Sequence, residues 1–377
     1  MSRLKLGMVG GGQGAFIGGV HRMAARLDDQ WDLVAGAFSS DPERSRASAA
    51  DLNVAPERAY GSYAEMAEAE AARADGIDAV SIVTPNHMHA APAIAFLKAG
   101  IHVICDKPLA ATEDQARDIA AAVAQSGKRF ILTHNYTGYP MIRQARAMVA
   151  AGDLGDLRVV QVEYAQDWLA EEVSNKQADW RTDPDRSGAG GCVGDIGTHA
   201  YNLACFVAGR AAFSLSADLD SFVMGRRVDD NVNAMLRFTG GAKGMLWASQ
   251  VAVGNENALR LRIYGSKAGL EWAQETPNTL SFTRFGEPSQ VLTRGGPGSD
   301  AAAARVSRIP SGHPEGYLEA FATLYSEAAA IVRHADRGEP LPEGWHAPDI
   351  DDGLAGMRFI AACIRSSEQN GAWVKLG

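Results

Sequence analysis

The stretch LKLGMVGGGQGAFIG at residues 4–18 decides the fold. Its first half, Leu4–Val9, is a short apolar run that predicts a buried β-strand. Glycines follow at once, and the segment that continues to Leu27 favours a helix. A second apolar run, Leu33–Phe38, predicts the next strand. A glycine-rich turn between a strand and a helix, followed by another strand, begins a β-α-β unit with parallel strands.

The same alternation continues along the chain. The further predicted strands and the Ala-rich helices between them are Ala79–Val83, Ala90–Ala99, Ile101–Cys105, Glu113–Gln125 and Phe130–Thr133. Repeated units of this kind form a doubly wound parallel sheet that binds ligands at the carboxyl ends of its strands. We therefore expect an α/β protein whose residues 1–133 form an N-terminal Rossmann domain.

The pattern changes after Gly155. Short strand-like runs joined by glycine-containing turns are predicted at Leu157–Tyr164, Val232–Phe238, Gly244–Val251, Leu259–Tyr264 and Leu270–Trp272. A helix is predicted at Ile196–Val207, and another at Gly316–Ala335 is expected to cover the sheet. Residues 134–377 are thus predicted to form a C-terminal α+β domain with a large, mainly antiparallel open sheet.

Composition excludes several classes of function. The chain has 377 residues, 46% of them apolar, and a net charge of -9, which argues against a nucleic acid or an anionic membrane as partner. No apolar run approaches the ~20 residues of a membrane span, and we expect a cytoplasmic protein. The four cysteines show no C-x-x-C spacing, so neither a disulfide framework nor a zinc ribbon is predicted.

The glycine loop at residues 10–18 has the chemistry of a phosphate-binding turn. Glycines let a pyrophosphate approach bare backbone N–H groups at the positive end of a helix. Gly10 and Gly12 fit the spacing G-x-G-x-x-G, whereas the third glycine is delayed to Gly18. The position between a first strand and a helix predicts a dinucleotide site, for which the candidate contacts are Gly10, Gly12, Gln13, Phe16 and Ile17.

The residues after the second predicted strand bear on the choice of dinucleotide. An NAD enzyme usually offers an acid to the ribose hydroxyls at this point. Asp41 can turn inward and favour NAD, whereas Ser39 would not repel a 2′-phosphate and Arg44 can reach one. NAD is the preferred prediction, and NADP stays possible.

Three further motifs follow in order behind the glycine loop: Thr84–His89, Cys105–Pro108 and Gly194–His199. With them the chain resembles the glucose-fructose oxidoreductase/inositol dehydrogenase family (Gfo/Idh/MocA) over most of its length. The chain departs from the family pattern at three positions. Asp106 stands where the family usually has Glu, Thr137 where Arg is frequent, and Asn202 where Asp is frequent.

The resemblance implies where the reaction takes place. It places around the nicotinamide Thr84, Pro85, Asn86, His89, Asp106, Lys107 and Pro108. It also implies that Lys107, Asp195 and His199 are the catalytic residues. A homo-oligomer, dimer or tetramer, formed through the C-terminal sheet is expected from the same resemblance.

Oxidation of a secondary alcohol suits these side chains. It requires a base for the hydroxyl proton and a fixed cation near the oxygen, while hydride leaves for the nicotinamide. His199 can be the base, and Asp195, four residues earlier, shares its face if the stretch is helical. Lys107 can hydrogen-bond the reacting oxygen.

Polar and aromatic residues between the motifs can line a sugar pocket, because flat rings suit the apolar faces of a pyranose or cyclitol. Besides the three catalytic residues, the candidates for substrate binding are Asn135, Tyr136, Trp168, Trp180, Arg181 and His313. Core packing or a dimer surface is the alternative explanation for these residues, the two tryptophans in particular.

The sequence therefore predicts an NAD(P)-dependent dehydrogenase of a cyclic polyol or sugar, with scyllo- or myo-inositol and glucose-like sugars as first candidates. An NADPH-dependent keto-sugar reductase is the alternative that Ser39 and Arg44 favour. A non-catalytic dinucleotide sensor is an alternative of another class. A zinc-dependent lyase or hydrolase would need His87, His89 and Asp195 as ligands, and we expect no metal.

Overall fold

The computed structural model describes residues 2–175 and 177–376. The chain divides into two compact units. The first comprises the chain up to Asn135 together with Leu318–Leu354, and the second comprises Tyr136–Tyr317 together with the chain from Ala355 onward. The predicted domains place residues 134–377 together, whereas in the structure part of that range clusters with the first unit.

Within the described residues, the first unit contains a parallel sheet of five strands, as the sequence predicts. The strands are β1 (Leu4–Gly10), β2 (Trp31–Ala37), β3 (Ala79–Val83), β4 (His102–Cys105) and β5 (Phe130–Leu132), in the spatial order β2-β1-β3-β4-β5. β3 and β4 are buried along their whole length, which explains why they appear in the sequence as continuous apolar runs.

Helices connect these strands. They are α1 (Phe16–Leu27), α2 (Pro42–Asp51), α3 (Tyr63–Ala72), α4 (Ala90–Lys98) and α5 (Glu113–Ser126). Local chemistry sets their ends: Thr112 caps α5 by accepting a hydrogen bond from the backbone of Gln115, and Gly127 ends it in the left-handed conformation. The sequence patterns did not indicate α2 and α3, which lack a clear apolar stripe.

In the second unit, the part of the chain that the structure describes forms a sheet of nine strands. They are β6 (Leu157–Ala165), β7 (Ala212–Asp220), β8 (Asn231–Phe238), β9 (Lys243–Ser249), β10 (Ala258–Gly265), β11 (Ala268–Ala273), β12 (Thr279–Arg284), β13 (Gln290–Thr293) and β14 (Val374–Lys375). The spatial order is β13-β12-β11-β10-β6-β9-β8-β7-β14, and among the described strands of this sheet only β6 and β9 pair in parallel. The predicted mainly antiparallel sheet is confirmed.

The second unit also contains shorter helices, which follow or interrupt the strands. They are α6 (Pro140–Ala150), α7 (Ala178–Arg181), α8 (Pro184–Ser187), α9 (Thr198–Ala208) and α10 (Ala301–Arg305). A single π-helical turn, Val193–Gly197, leads directly into α9.

Two long helices complete the chain, α11 (Tyr317–Arg337) and α12 (Ile350–Glu368). The expectation that a helix at Gly316–Ala335 covers the antiparallel sheet is wrong. From Leu318 onward α11 belongs to the first unit, and its apolar stripe packs there. The predicted apolar stripe is present on the helix, but an apolar stripe does not specify which sheet buries it.

Specific contacts attach α11 to the parallel sheet. The hydroxyl of Tyr325 lies 2.8 Å from Nδ1 of His21 on α1 and 2.8 Å from Oγ of Ser81 on β3. Nε1 of Trp31 donates to the carbonyl oxygen of Tyr325 at 2.8 Å. These polar groups are buried, so their mutual hydrogen bonds select this position for the helix.

Among residues 2–175 and 177–376, no helix is long and apolar enough to cross a membrane. No disulfide joins the four cysteines in the described part of the chain; three of them are buried and Cys205 is half-buried.

Candidate active site

The glycine loop of the first unit has the backbone of a tight turn. Gly10, Gly11 and Gly14 adopt φ values of 80°, 72° and 73°, which other residues rarely adopt. A Cβ on Gly12 would lie 2.8 Å from the carbonyl oxygen of Phe38, so only glycine fits there. This bare backbone, immediately before the first turn of α1, fits the pyrophosphate of a dinucleotide.

The remaining candidates in this loop differ in their surroundings. Phe16 is 67% exposed at the start of α1, so its ring is accessible to a bound molecule. Ile17 packs against the apolar core around Met8 and Phe38, which gives it a structural role. Gln13 is engaged with α2, because its side-chain amide donates to Asp51 Oδ2 at 2.7 Å. Cofactor contacts by these three residues stay predictions.

The loop after β2 is organised by capping. Oδ1 of Asp41 accepts hydrogen bonds from the backbone N–H groups of Glu43 and Arg44 at the start of α2. Ser39 Oγ accepts from the backbone of Asp41 at 3.1 Å. The guanidinium of Arg44 donates to the carbonyl oxygen of Gln13 at 3.1 Å and thus lies against the glycine loop. Of the charged candidates here, Arg44 is the one whose side chain contacts the predicted phosphate turn.

His89 joins two motifs that are separate in the sequence. Its Nδ1 lies 2.8 Å from the carbonyl oxygen of Pro108, and its Nε2 lies 2.9 Å from that of Thr84. The ring is fully buried, and burial lowers the pKa of His89, although the nearby Asp106 carboxylate opposes that shift. Both nitrogens face backbone carbonyls, so His89 positions the segment that contains Lys107.

Pro85 and Asn86 form the turn between β3 and His89, as the motif predicts. Pro85 is the residue before a short 3-10 segment, Asn86–Met88, and Asn86 is buried. Thr84 Oγ1 donates to the carbonyl oxygen of Met88 at 3.0 Å and closes this turn. The turn follows the carboxyl end of β3, where ligands bind in such sheets.

Asp106 holds the backbone beside Lys107. Its Oδ1 accepts from the backbone N–H of Lys107 and from Oγ1 of Thr133, each at 3.0 Å. His134 is buried close by, and burial together with the Lys107 charge lowers the pKa of His134 to about 3. Asn135 is also buried, and its Nδ2 has no hydrogen-bond partner among the described residues. This donor fits a polar ligand group.

In the second unit, Asp195 lies in the π-helical turn and His199 in the first turn of α9. Such turns inside helices are frequent at functional sites. The predicted helix at Ile196–Val207 corresponds to α9, and the π turn before it was not foreseen. Oδ2 of Asp195 accepts from Arg181 Nε at 3.2 Å and from Gln250 Nε2 at 2.9 Å.

Arg181 brings two predicted pocket residues together. Its guanidinium lies over the ring of Trp180, 4.2 Å from the centroid, while its Nε contacts Asp195. The carboxylate of Asp195 is 16% exposed and the Arg181 side chain 24% exposed, so both are accessible to a small molecule.

His199 lies among aromatic rings. The ring of Tyr136 is 4.8 Å from that of His199, edge to face, and the ring of Tyr164 is 6.3 Å away. Burial raises the pKa of Tyr136, and the Asp195 carboxylate adds to the rise. His199 therefore packs against the ring of Tyr136, and the charge of Asp195 acts on the hydroxyl of the same residue.

A hydrogen-bonded row extends this cluster along β6. Tyr136 and Tyr164 share a hydrogen bond between their hydroxyls, and Tyr164 donates to Asn257 Oδ1 at 2.8 Å. Gln166 donates to the same oxygen at 2.7 Å and accepts from Trp168 Nε1 at 3.0 Å. Trp168 is thus joined to the cluster that contains His199.

Sequence reasoning missed several members of this cluster, namely Tyr164, Gln166, Gln250 and Asn257. One signal was present: polar side chains at 164, 166 and 168 recur with period two and so lie on one face of a strand and its extension. Among the described residues, no hydrogen bond or ion pair joins the side chain of His313 to this cluster. It is exposed, and its backbone takes part in the turn held by Arg294.

Among residues 2–175 and 177–376, no group of three or more His, Cys, Asp or Glu side chains is placed to hold a metal ion. His89, one of the ligands that a zinc site would need, has both ring nitrogens against backbone carbonyls.

Comparison with known proteins gives matches over both units. Residues 4–136 match the model described as "Oxidoreductase family, NAD-binding Rossmann fold", and residues 142–271 match the GFO/IDH/MocA C-terminal domain. The uncharacterized oxidoreductase YfiI of Bacillus subtilis is 38% identical, over 99% of this chain and 96% of its own length.

Two solved structures are similar over nearly the full length. An oxidoreductase from Sinorhizobium meliloti is 56% identical, with a TM-score of 0.92 and 100% of both chains covered. An inositol dehydrogenase homolog from Azotobacter vinelandii, complexed with NADH and myo-inositol, is 37% identical, with a TM-score of 0.93 over 99% of this chain and 98% of that one.

Proposed function

Because this chain belongs to the Gfo/Idh/MocA family of NAD-binding oxidoreductases, we propose that it is an NAD-dependent dehydrogenase. Its substrate is a cyclic polyol or sugar, and an inositol or a glucose-like sugar is the first candidate. The reaction oxidises a secondary hydroxyl of this substrate to a ketone. The solved relative that binds NADH and myo-inositol supports this substrate class.

The observation that carries the proposal is the cluster around Tyr136. His199 packs against this ring, the charge of Asp195 raises the pKa of Tyr136, and Asp195 is held by Arg181 and Gln250. An ion-paired carboxylate four residues before an imidazole, together with aromatic rings and amides, suits the hydroxyls and apolar faces of a cyclic polyol.

In the proposed reaction, His199 accepts the proton of the substrate hydroxyl. Asp195, oriented by Arg181 and Gln250, accepts a hydrogen bond from the same or a neighbouring hydroxyl. Lys107, whose backbone is held by Asp106 and whose neighbour Pro108 is held by His89, supplies a positive charge to the reacting oxygen. The bound nicotinamide would accept the hydride.

A substrate panel tests the proposal. Purified protein is assayed at alkaline pH with scyllo-inositol, myo-inositol, glucose and anhydrosugars, and reduction of NAD and of NADP is followed by absorbance. We expect turnover of at least one cyclic polyol with NAD. Absence of turnover with every member, in a protein that binds NADH, would leave the non-catalytic dinucleotide sensor as the better explanation.

A keto-sugar reductase that uses NADPH is a second candidate. It is favoured by Arg44, whose guanidinium lies against the glycine loop, and by Asp41, whose Oδ1 is engaged in capping α2. Faster oxidation of NADPH with a keto-sugar than reduction of NAD with the corresponding polyol would favour this function.

A further inference from the structure

Asp229, just before β8, contacts three consecutive backbone N–H groups. Its Oδ1 accepts from Gly191 at 2.6 Å and its Oδ2 from Val193 at 2.7 Å. Its own carbonyl oxygen accepts from Cys192 at 2.8 Å. One buried residue thus binds the whole segment that leads into the π-helical turn.

That segment has no cap of its own. The N–H groups at the start of a helix lack partners within it, and here the preceding residue, Cys192, makes no capping hydrogen bond with its side chain. Asp229, 38 residues away from Gly191 in the sequence, satisfies these groups instead. Burial raises the pKa of Asp229 to about 6, and the two N–H donors oppose the rise, so the group is ionised at neutral pH.

The fit is close enough to constrain the sequence. A Cβ on Gly191 would lie 2.3 Å from the carbonyl oxygen of Asp229, so any side chain there would displace the segment. Asp229 therefore holds the segment with its carboxylate, and its backbone carbonyl leaves no room for a side chain at residue 191.

Asp230, the next residue, is linked to Asp195 through Gln250. The carbonyl oxygen of Asp230 accepts from the backbone of Gln250 at 2.8 Å, and the side chain of Gln250 donates to Asp195. Residues 229 and 230 thus position both the turn that contains Asp195 and one of the partners of its carboxylate.

We propose that Asp229 is a positioning residue for the reaction, which fixes Asp195 and His199 by anchoring the turn at residues 191–193. This inference rests on the proposed function, because it assumes that Asp195 and His199 act on the substrate. Asp229 itself touches neither substrate nor cofactor in this proposal.

The test compares Asp229→Asn with the parent. An amide offers one acceptor where the carboxylate offers two, so either Gly191 or Val193 loses its partner while Cys192 keeps the backbone contact. Hydrogen exchange of the peptide covering residues 189–199, measured by mass spectrometry on the full chain, should become at least tenfold faster. With NAD and a panel member that the parent oxidises, kcat should fall at least tenfold, whereas the dissociation constant for NADH should stay within twofold.

Ser366→Ala is the matched control. Ser366 is buried in the same unit, and its Oγ accepts from the backbone N–H of Ala217 at 2.8 Å and donates to the carbonyl oxygen of Ala372. Its loss should lower the midpoint of thermal unfolding but leave exchange of peptide 189–199 and kcat unchanged. If Asp229→Asn does not fold, Asp229→Glu keeps both acceptors but displaces them by one methylene, and kcat should again fall.

Unchanged exchange in Asp229→Asn, or faster exchange with parental kcat, would overturn the inference. So would parental kcat in Asp229→Glu. If the parent itself oxidises no member of the panel, the proposed function fails, and the hydrogen exchange alone then decides whether Asp229 anchors the turn.

Discussion

Lys107 follows the fourth strand of the parallel sheet; its backbone N–H is held by the Asp106 side chain, and the carbonyl of the next residue, Pro108, is held by His89. We expect Lys107→Ala to bind NADH within about twofold of the parent but to lose roughly 10²–10³-fold in kcat, because its charge acts on the transition state. Fluorescence titration and steady-state kinetics measure the two quantities. Lys98→Ala, exposed at the end of α4, is the control. Near-parental turnover in Lys107→Ala would remove the lysine from catalysis.

His199 is the proposed base, so this single residue should determine how the rate of the reaction depends on pH. In the parent, kcat/KM for oxidation should rise with pH as the base loses its proton. His199→Ala should abolish this limb and slow the reaction by roughly 10²–10⁴-fold, while NADH binding stays intact. A limb that survives in His199→Ala and disappears in Lys107→Ala would show that the two roles are reversed.

A substitution of Arg44 tests whether the loop after β2 favours NAD or NADP at the adenosine ribose. If its guanidinium reaches a 2′-phosphate, Arg44→Ala should weaken NADP binding by about 1–3 kcal/mol and leave NAD binding unchanged. Isothermal titration calorimetry with both dinucleotides measures the difference. Arg46→Ala, exposed on the same helix, controls for the loss of a positive charge. An equal effect of the two substitutions would rule out a specific contact by Arg44.

At the scale of elements, helix α11 was predicted correctly as an amphipathic helix, but the sheet against which it packs was not. Its apolar stripe suits either sheet. Its position in the first unit depends on Tyr325, which meets His21 and Ser81 in a buried group. Such polar groups accept only the partner that satisfies them, whereas an apolar face accepts any apolar surface.

This buried group predicts a dependence of stability on pH. Burial lowers the pKa of His21 to about 4, although Asp106 opposes the shift and Arg22 adds to it. As pH falls below the ordinary value near 6.5, the unfolded chain takes up a proton that the folded chain refuses, so stability is lost. Between pH 7.5 and 5, the contribution of His21 to the free energy of unfolding should fall by about 2 kcal/mol.

Urea unfolding of His21→Asn at the two pH values measures that contribution. The variant should be less stable than the parent at pH 7.5, but its stability should decline by about 2 kcal/mol less on acidification. His313→Asn, at an exposed histidine, should follow the parent. Equal declines in the parent and His21→Asn would mean that His21 is not held neutral by the fold.

At the scale of the whole molecule, the open sheet bears on assembly. Met235 on β8 pairs in register with Met245 on β9, and the two side chains are 52% and 48% exposed. If the protein forms a homo-oligomer through this face, as the family resemblance implies, Met245→Asp should shift the mass measured by light scattering to a smaller species. Met224→Asp, at a loop methionine that is 97% exposed, should not. A parental mass in Met245→Asp would place any interface elsewhere.

The amino-acid sequence by itself determined what depends on neighbours a few residues apart. The strand predicted at Ala79–Val83 has the same bounds in the structure, because a continuous apolar run needs burial on both faces of a parallel sheet. The glycine loop and the fold class of both units were also predicted, because they too depend on patterns of neighbouring residues. Asp195 and His199 were singled out by the resemblance of the motif at residues 194–199 to the family, and their catalytic roles stay predictions.

Only the tertiary structure decided which distant segments meet. Ser81 and Tyr325 are 244 residues apart, and no periodicity connects them. The contact between Asp229 and Gly191 is equally invisible, because a lone aspartate and a glycine have many local explanations. Contacts of this kind are chosen when buried polar groups must all find partners at once, a condition that applies to the folded chain as a whole and to no short stretch of it.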